Sequence, residues 1–186
     1  MTHRIGLRLA KALARFRAQE RGVALIEFAF ALPVLTLLFV GSFQLSDALS
    51  AYRKVTTATR TIADLTSQSA TVTADDLDMI LNASQQVMSP YKPDLAAMTV
   101  SQIKIDGGGN ATVAWSRGKN TTRLEPGSAF SIPTAIKQNN TSMIVAQIVY
   151  SYTPIMASTM IGVIPMKDQI FMNPRRNDTI TCTGCS

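Results

Sequence analysis

One long apolar run dominates the N-terminal part of the chain. Between Val23 and Phe43 the sequence has almost no polar face, and no charged residue lies between Glu27 and Asp47. A helix rises 1.5 Å per residue, so about 20 residues cross the roughly 30 Å of hydrocarbon in a bilayer. The run therefore predicts a transmembrane helix over residues 23–46.

Two other interpretations of this run compete with a membrane span. A buried core helix normally carries a polar face, which the run lacks. A secretory signal is cut after small residues, and Ser46-Asp47-Ala48 supplies them. However, a signal core usually has about 7–15 apolar residues, whereas this run is longer and contains Glu27 and Pro33. We therefore favour a retained span over both.

The helical spacing continues beyond the apolar run. Apolar residues recur at intervals of three and four, which is typical of a helix with one buried face. The pattern predicts a single helix from Val23 to about Gln68, whose second half packs on a globular head. The predicted packing stripe consists of Leu45, Leu49, Tyr52, Val55, Thr59, Ile62 and Leu65.

A second helix is predicted near the start of the head. Residues 71–74 indicate a break in the first helix, and Thr73 is a suitable N-cap for a helix that runs to about Met88. Asp75 and Asp76 fall in its first turn, where negative charge stabilises the helix dipole, so we favour that role over metal binding.

The rest of the head has the pattern of β-strands. Apolar and β-branched residues at 98–105 and 111–115 flank a Gly-rich turn, which predicts a β-hairpin. Met143–Tyr152 predicts a central strand covered on both faces, and Lys167–Met172 predicts the last strand. The expected fold class is α+β: a long N-terminal transmembrane helix that continues into a small antiparallel, pilin-like β-sheet head. The expected segments are 1–22 (leader), 23–46 (span), 47–70 (continuation of the helix) and 71–186 (head).

Charge is concentrated at the N-terminus. The 186-residue chain has 18 Lys and Arg against 12 Asp and Glu, a net charge of +6. The first 22 residues hold most of that excess, and a basic tail on a near-neutral chain indicates membrane topology rather than nucleic-acid binding. By the positive-inside rule the N-terminus stays in the cytoplasm and the head lies outside. The basic residues of this leader are Arg4, Arg8, Lys11, Arg15, Arg17 and Arg21.

The single acid within the apolar run requires an explanation. An ionised side chain costs about 2.5–3.5 kcal/mol at the middle of a bilayer, so Glu27 is a functional candidate. Immediately before it stand Arg21-Gly22 and then Val23-Ala24-Leu25-Ile26, and Phe28 follows. This arrangement resembles the processing site of Flp-type prepilins and of TadE/TadF pseudopilins, in which prepilin peptidase cuts after a Gly that precedes four residues, a Glu and an aromatic residue.

The resemblance implies a minor pilin-like protein of a bacterial Tad/Flp adhesive pilus, cut between Gly22 and Val23. Its partners would be membrane lipid, prepilin peptidase, other pilins or pseudopilins and Tad-type inner-membrane assembly proteins. It would be a single-pass inner-membrane protein with a periplasmic head, which becomes extracellular if it enters a pilus. The resemblance is specific over about residues 20–66, which include Pro33 and Gly41.

The residue chemistry supports the same processing step independently. Glycine has no side chain to obstruct an intramembrane protease, and a cut after Gly22 frees a cationic amine at Val23. Glu27 then lies one helical turn from that amine, so its carboxylate can neutralise the amine of a neighbouring subunit. Pro33 removes one intrahelical hydrogen bond and is expected to kink the helix.

Other functions find less support in the sequence. An uncleaved single-pass accessory protein, whose head scaffolds the pilus or secretion machine, is the main alternative. An enzyme would need clustered acid, base or nucleophile residues, and we assign no catalytic residue, cofactor, metal, nucleic acid or small-molecule substrate. Cys182 and Cys185 cannot complete a four-ligand zinc site, so we favour a local disulfide, with free thiols as the alternative and a redox centre as the weakest one.

Overall fold

The N-terminal helix is the longest element of the chain. The structure is a computed structural model that describes residues 21–156, 158 and 162–185, so most of the predicted basic leader lies outside the described residues. Helix α1 spans Arg21–Ser67 without interruption, close to the predicted bounds. Contacts divide the chain into two compact units, of which the first ends at Leu45 and the second spans Ser46–Ser186.

The second unit is built on a four-stranded antiparallel sheet, which confirms the expected α+β class. A short strand, β1 (Thr71–Thr73), and helix α2 (Ala74–Val87) come first in the chain. The sheet strands are β2 Ala96–Ile105, β3 Ala111–Lys119, β4 Thr141–Tyr152 and β5 Ile164–Met172, and a short strand, β6 (Thr181–Thr183), follows them. Across the sheet, the strands lie side by side in the order β3-β2-β4-β5. The predicted hairpin is β2–β3, and β4 is central as predicted.

Helix α2 begins at the predicted cap. The Thr73 hydroxyl accepts a hydrogen bond from the Asp76 backbone N–H, and the Asp76 carboxylate accepts one from the Thr73 backbone N–H, which forms a capping box. The Thr73 hydroxyl also donates to the Asp76 carboxylate at 2.8 Å, and this bond, followed by the one from the Thr73 backbone N–H, lowers the pKa of Asp76. On the exposed side of the helix, Asp78 forms two hydrogen bonds with the Arg117 guanidinium, which joins α2 to β3.

Two short strands depart from the sequence-based expectation. Residues 71–73, predicted as a simple break, form β1, which pairs in parallel with β6 near the C-terminus. Lys167–Met172 is therefore not the last strand, and β5 itself begins earlier, at Ile164. A three-residue strand is too short to show periodicity, and its partner lies at the opposite end of the head sequence, so local pattern cannot reveal it.

The buried face of α1 also differs from the predicted stripe. Leu45, Leu49 and Tyr52 are 63%, 50% and 44% exposed, and Leu65 is 38% exposed. Of the predicted stripe, only the part from Val55 to Ile62 is buried. The core instead receives a neighbouring face that is rich in small residues. That face consists of Ala51, Val55, Ala58, Thr59, Ile62, Ala63 and Thr66.

A β-bulge in β3 distributes its side chains between the two sides of the sheet. The register with β2 shifts so that Gln102 pairs with Trp115 while Ile103 pairs with Val113. The extra residue reverses the alternation, because one inserted residue turns every later side chain to the other face. Val113 belongs to the core cluster on one side of the sheet, and Trp115 belongs to the cluster that contains α1.

The bulge allows a buried hydrogen-bond network around Gln102. The Trp115 indole N–H donates to Gln102 Oε1 and to the Ile180 carbonyl, both at 2.8 Å. The Ile180 backbone N–H donates to the same Gln102 oxygen at 3.1 Å. The Gln102 amide donates to Ser142 Oγ at 3.1 Å. One side chain therefore connects three strands of the sheet with the segment that leads to β6.

We expect Gln102→Ala to reduce the free energy of unfolding of the head by about 1–3 kcal/mol, because it leaves the buried Ile180 N–H without its acceptor. The measurement is urea unfolding of the full chain in detergent, followed by the fluorescence of Trp115, the only tryptophan. Gln138→Ala removes the same side chain from an exposed position and is the control, with an expected change within about 0.5 kcal/mol. Equal unfolding midpoints for the two variants would contradict the role of the network.

Candidate functional site in the N-terminal helix

The first half of α1 exposes apolar side chains on all its faces. Leu25, Phe30 and Phe39 are 73%, 78% and 75% exposed, and the most apolar 18-residue window of the helix has no buried residue. A helix in a protein core buries such side chains, so this exposure argues against the core-helix alternative. Among the described residues, α1 is the one helix long and apolar enough to cross a membrane.

The residues of the predicted processing site lie in the first two described turns of α1. A side-chain carbon added at Gly22 would meet no other atom within 4 Å. Val23 and Phe28 are 58% and 59% exposed, and Glu27 is exposed as well. Val23 and Glu27 are four residues apart in a helix and therefore share one face. The structure brings the predicted junction and the predicted acid to the same side of α1.

The polar groups in the middle of the apolar half are satisfied within the helix. α1 continues through Pro33 to Ser67, so the proline does not end the helix, and the predicted kink stays a prediction. The Thr36 hydroxyl donates to the Leu32 carbonyl at 2.8 Å, and the Ser42 hydroxyl donates to the Leu38 carbonyl at 2.7 Å. Such bonds let hydroxyl groups enter hydrocarbon at little cost.

A comparison with protein families matches this helix. The model of a family described as TadE-like protein matches residues 22–64. This part of the chain is TadE-like. The match confirms the resemblance read from the sequence, and it begins at Gly22, where the predicted cleavage junction lies. No curated protein and no solved structure gave a match to the chain.

The TadE-like segment supports a structural, pilin-like protein associated with a Tad pilus. It covers the apolar half of α1 and most of the half that packs on the sheet, whereas every strand of the head lies outside it. Within the described residues, no group of three or more His, Cys, Asp or Glu side chains could hold a metal ion. The apolar helix and the family together indicate a membrane-anchored protein.

Asp47, the first charged residue after the apolar run, is bound by two tyrosines of the head. The Tyr91 hydroxyl donates to Asp47 Oδ1 at 2.9 Å, and the Tyr152 hydroxyl donates to Asp47 Oδ2 at 2.5 Å. Burial, followed by the Asp47 carboxylate, raises the pKa of Tyr91 to about 12 and raises the pKa of Tyr152 as well. The ring of Tyr150 packs edge-on against Tyr91, with centroids 6.4 Å apart.

Sequence reasoning missed this cluster because its members come from three separated segments. One signal was available: an acid within a helical pattern, directly after an apolar run, requires polar partners when the helix packs on a head. At the other end of α1, Asp64 forms an ion pair with Arg175, and the Arg175 backbone N–H donates to the Ser67 carbonyl at 2.9 Å. Polar contacts therefore hold the head to α1 at both ends of their shared length.

The two cysteines lie beside β6. Cys182 and Cys185 are joined through their sulfur atoms, and Cys185 is almost fully buried. The Arg123 guanidinium donates to the Cys185 carbonyl at 2.6 Å, which fixes the C-terminal turn against the segment that follows β3. The arrangement is structural, and the redox state of the pair in the cell stays a prediction.

We expect Asp47→Asn to lower the pKa of Tyr91 below about 12 but not fully to its ordinary value near 10, because burial is the larger cause and remains. In the wild type, the unfolded chain loses this proton near pH 10 and the folded chain only near pH 12. The contribution of Tyr91 to stability is therefore complete below pH 10 and is lost as the pH rises to 12.

The measurement is a tyrosinate absorbance titration of the full chain in detergent. Asp94→Asn, which changes an exposed acid that contacts neither tyrosine through its carboxylate, is the control and should give the wild-type curve. A wild-type curve for Asp47→Asn would show that Asp47 does not act on these tyrosines.

Proposed function

We propose that the chain is a minor pilin-like component required for biogenesis of a Tad/Flp-type adhesive pilus, and that prepilin peptidase processes it between Gly22 and Val23. The observation that carries the proposal is the TadE-like match that begins at Gly22, on a helix whose apolar half is exposed on all faces. Such a helix is suited first to lipid and then to the helices of other subunits.

The surroundings of Gly22 support the cleavage step. The peptidase must bring its catalytic groups to the carbonyl of Gly22, and open space around this residue leaves that approach clear. Cleavage frees a cationic amine on Val23. In a helix that starts there, Glu27 is the fifth residue and lies in the part where the helix dipole favours negative charge.

The exposure of Glu27 supports a role in assembly. A carboxylate left alone in hydrocarbon is costly, and that cost falls when the amine of an adjacent subunit lies beside it. Pairing would therefore favour subunits that dock in one register. Other pilins, pseudopilins and the inner-membrane assembly proteins of the Tad system are the expected partners.

The proposed orientation has the leader in the cytoplasm and the head in the periplasm. The basic residues before Gly22 support it through the positive-inside rule, and a disulfide between Cys182 and Cys185 suits the oxidising periplasm. Cleavage after Ala48 as a secretory signal would separate Asp47 from Tyr91 and Tyr152, which argues against that alternative.

An uncleaved accessory protein is the second candidate, because an exposed membrane helix would also anchor a scaffold. It differs from the proposed pilin-like protein by retaining residues 1–22. The mass of the protein in the membrane fraction distinguishes the two.

We expect Gly22→Ala to block processing, so that the variant keeps Met1 while the wild type begins at Val23. Gly41→Ala is the matched control: both glycines lie in α1 with open space for a methyl group, so neither change disturbs packing. The measurement is N-terminal sequencing and intact mass of membrane-fraction protein from cells with the peptidase. A wild-type protein that begins at Met1 or Leu49 would refute the proposed junction.

We expect Glu27→Ala to leave cleavage and membrane insertion intact and to abolish pilus assembly, because the amine of a neighbouring subunit loses its counter-charge. The measurements are the mass of the membrane-fraction protein and the pili counted on cells by electron microscopy. Thr36→Ala, which removes a polar side chain satisfied within the same helix, should assemble normally. Normal pili with Glu27→Ala would remove Glu27 from the assembly mechanism.

A further inference from the structure

The connection between β4 and β5 presents apolar side chains to solvent at both of its ends. Ile155 is 68% exposed near its start, and Val163 is 59% exposed near its end, next to Ile164 at 36%. The sequence from residue 153 to residue 166 contains no charged residue. We call Ile155, Val163 and Ile164 the β4–β5 apolar surface. Exposed apolar side chains at both ends of an uncharged connection make it a candidate binding surface.

Hydrogen bonds fix the position of this surface along the axis of α1. Tyr152, the last residue of β4, donates to the Asp47 carboxylate and pairs with Ile164, the first residue of β5. Both ends of the connection therefore start at the level of Asp47. Since Asp47 is the first charged residue after the apolar run, it must lie at the membrane–water boundary when α1 spans a bilayer.

The opposite end of the head is marked by the ion pair between Asp64 and Arg175. Asp64 lies 17 residues beyond Asp47, which is about 26 Å along a helix. Ile136, another exposed isoleucine, lines a groove with Arg60 and Asp64 and so belongs to that distant end. Measured along α1, the head thus has one end at Asp47 and the other at Asp64, and the β4–β5 apolar surface is at the Asp47 end.

We propose that the β4–β5 apolar surface inserts into the outer leaflet of the membrane that α1 spans, as a second and shallower membrane contact. The ligand is the boundary between lipid headgroups and acyl chains, where apolar side chains on a protein surface bury about 5–10 Å deep. This inference rests on the membrane anchoring of the proposed function. A contact of this kind limits how the head can tilt while the protein is in the membrane, and it must be released when the protein leaves.

The test is contact-dependent quenching of tryptophan by brominated lipid. Full-length protein with Ile155→Trp is reconstituted in phosphatidylcholine vesicles whose acyl chains carry bromine near the headgroup end. Emission of the added tryptophan should fall on the order of twofold relative to unbrominated vesicles, since a side chain about 5–10 Å deep meets those carbons. The buried Trp115 of the wild type supplies the background, and its unchanged emission reports an intact head.

Two further variants make the result decisive. Ile136→Trp replaces an exposed isoleucine at the distant end and should not be quenched. Phe43→Trp lies in the apolar run about 6 Å before Asp47, at the depth of the bromines, and should be quenched strongly. Quenching at 155 and 43 but not at 136 supports the proposal. Quenching at 43 alone overturns it, leaves the anchoring and the pilus function intact, and assigns the surface to a protein partner. Equal quenching at 155 and 136 also overturns it, because the contact would then not be specific to this surface.

Absence of quenching at 43 would instead overturn the membrane anchoring itself, and with it the proposed function. If Ile155→Trp alters the Trp115 emission, Val163→Trp probes the other end of the same surface with the same expectation.

Discussion

The structure of the head depends on the packing of the second half of α1 against one face of the four-stranded sheet. Ala51, Ala58 and Ala63 give the helix a smooth face, and Val55 and Ile62 fill the space between it and the strands. Helix α2 contributes Leu77 and Leu81 to the same core cluster. One continuous helix therefore supplies both the exposed apolar segment before Ser46 and a core element of the head after it.

A face of small residues brings a helix close to a sheet but does not by itself fix its position along the strands. Here polar contacts add that information at the two ends: Asp47 with Tyr91 and Tyr152, and Asp64 with Arg175. Two hydroxyl groups can both bond one carboxylate only at a single position of the helix along the strands. Alanine side chains, in contrast, make similar contacts at several positions. Tyr91 and Tyr152 therefore fix the position of the head along α1 at Asp47, the first charged residue after the apolar run.

The two halves of α1 meet different physical demands. In the half up to Leu45 most side chains are exposed, and the hydroxyl groups of Thr36 and Ser42 are satisfied within the helix. A structure of this kind is complete only in lipid or among other helices. The half from Ser46 onward finds its partners within the chain. The TadE-like segment runs through both halves of α1 and stops before the strands begin.

Helices and strands that depend on residues close together in the sequence were predictable. The apolar run and the spacing after it gave α1 nearly to its ends, Thr73 and Asp76 gave the start of α2, and β-branched runs around a Gly-rich turn gave β2, β3 and β4. The spacing of Gly22 and Glu27 along one helix predicted a processing junction and an assembly acid, and both stay predictions. Local hydrogen bonding and burial periodicity decide these features before the chain folds further.

Tertiary structure alone decided the rest. The spacing of Leu45, Leu49 and Tyr52 predicted a packing stripe, but the head buries a neighbouring face of α1 that is rich in small residues. The parallel pairing of β1 with β6, the bulge that turns Trp115 toward Gln102, and the tyrosines on Asp47 all join segments distant in sequence. The sequence by itself determined the two helices, the hairpin and the central strand, because these depend on residues close together along the chain. Which faces and side chains meet was determined only by packing, since such contacts depend on three-dimensional fit that no local pattern encodes.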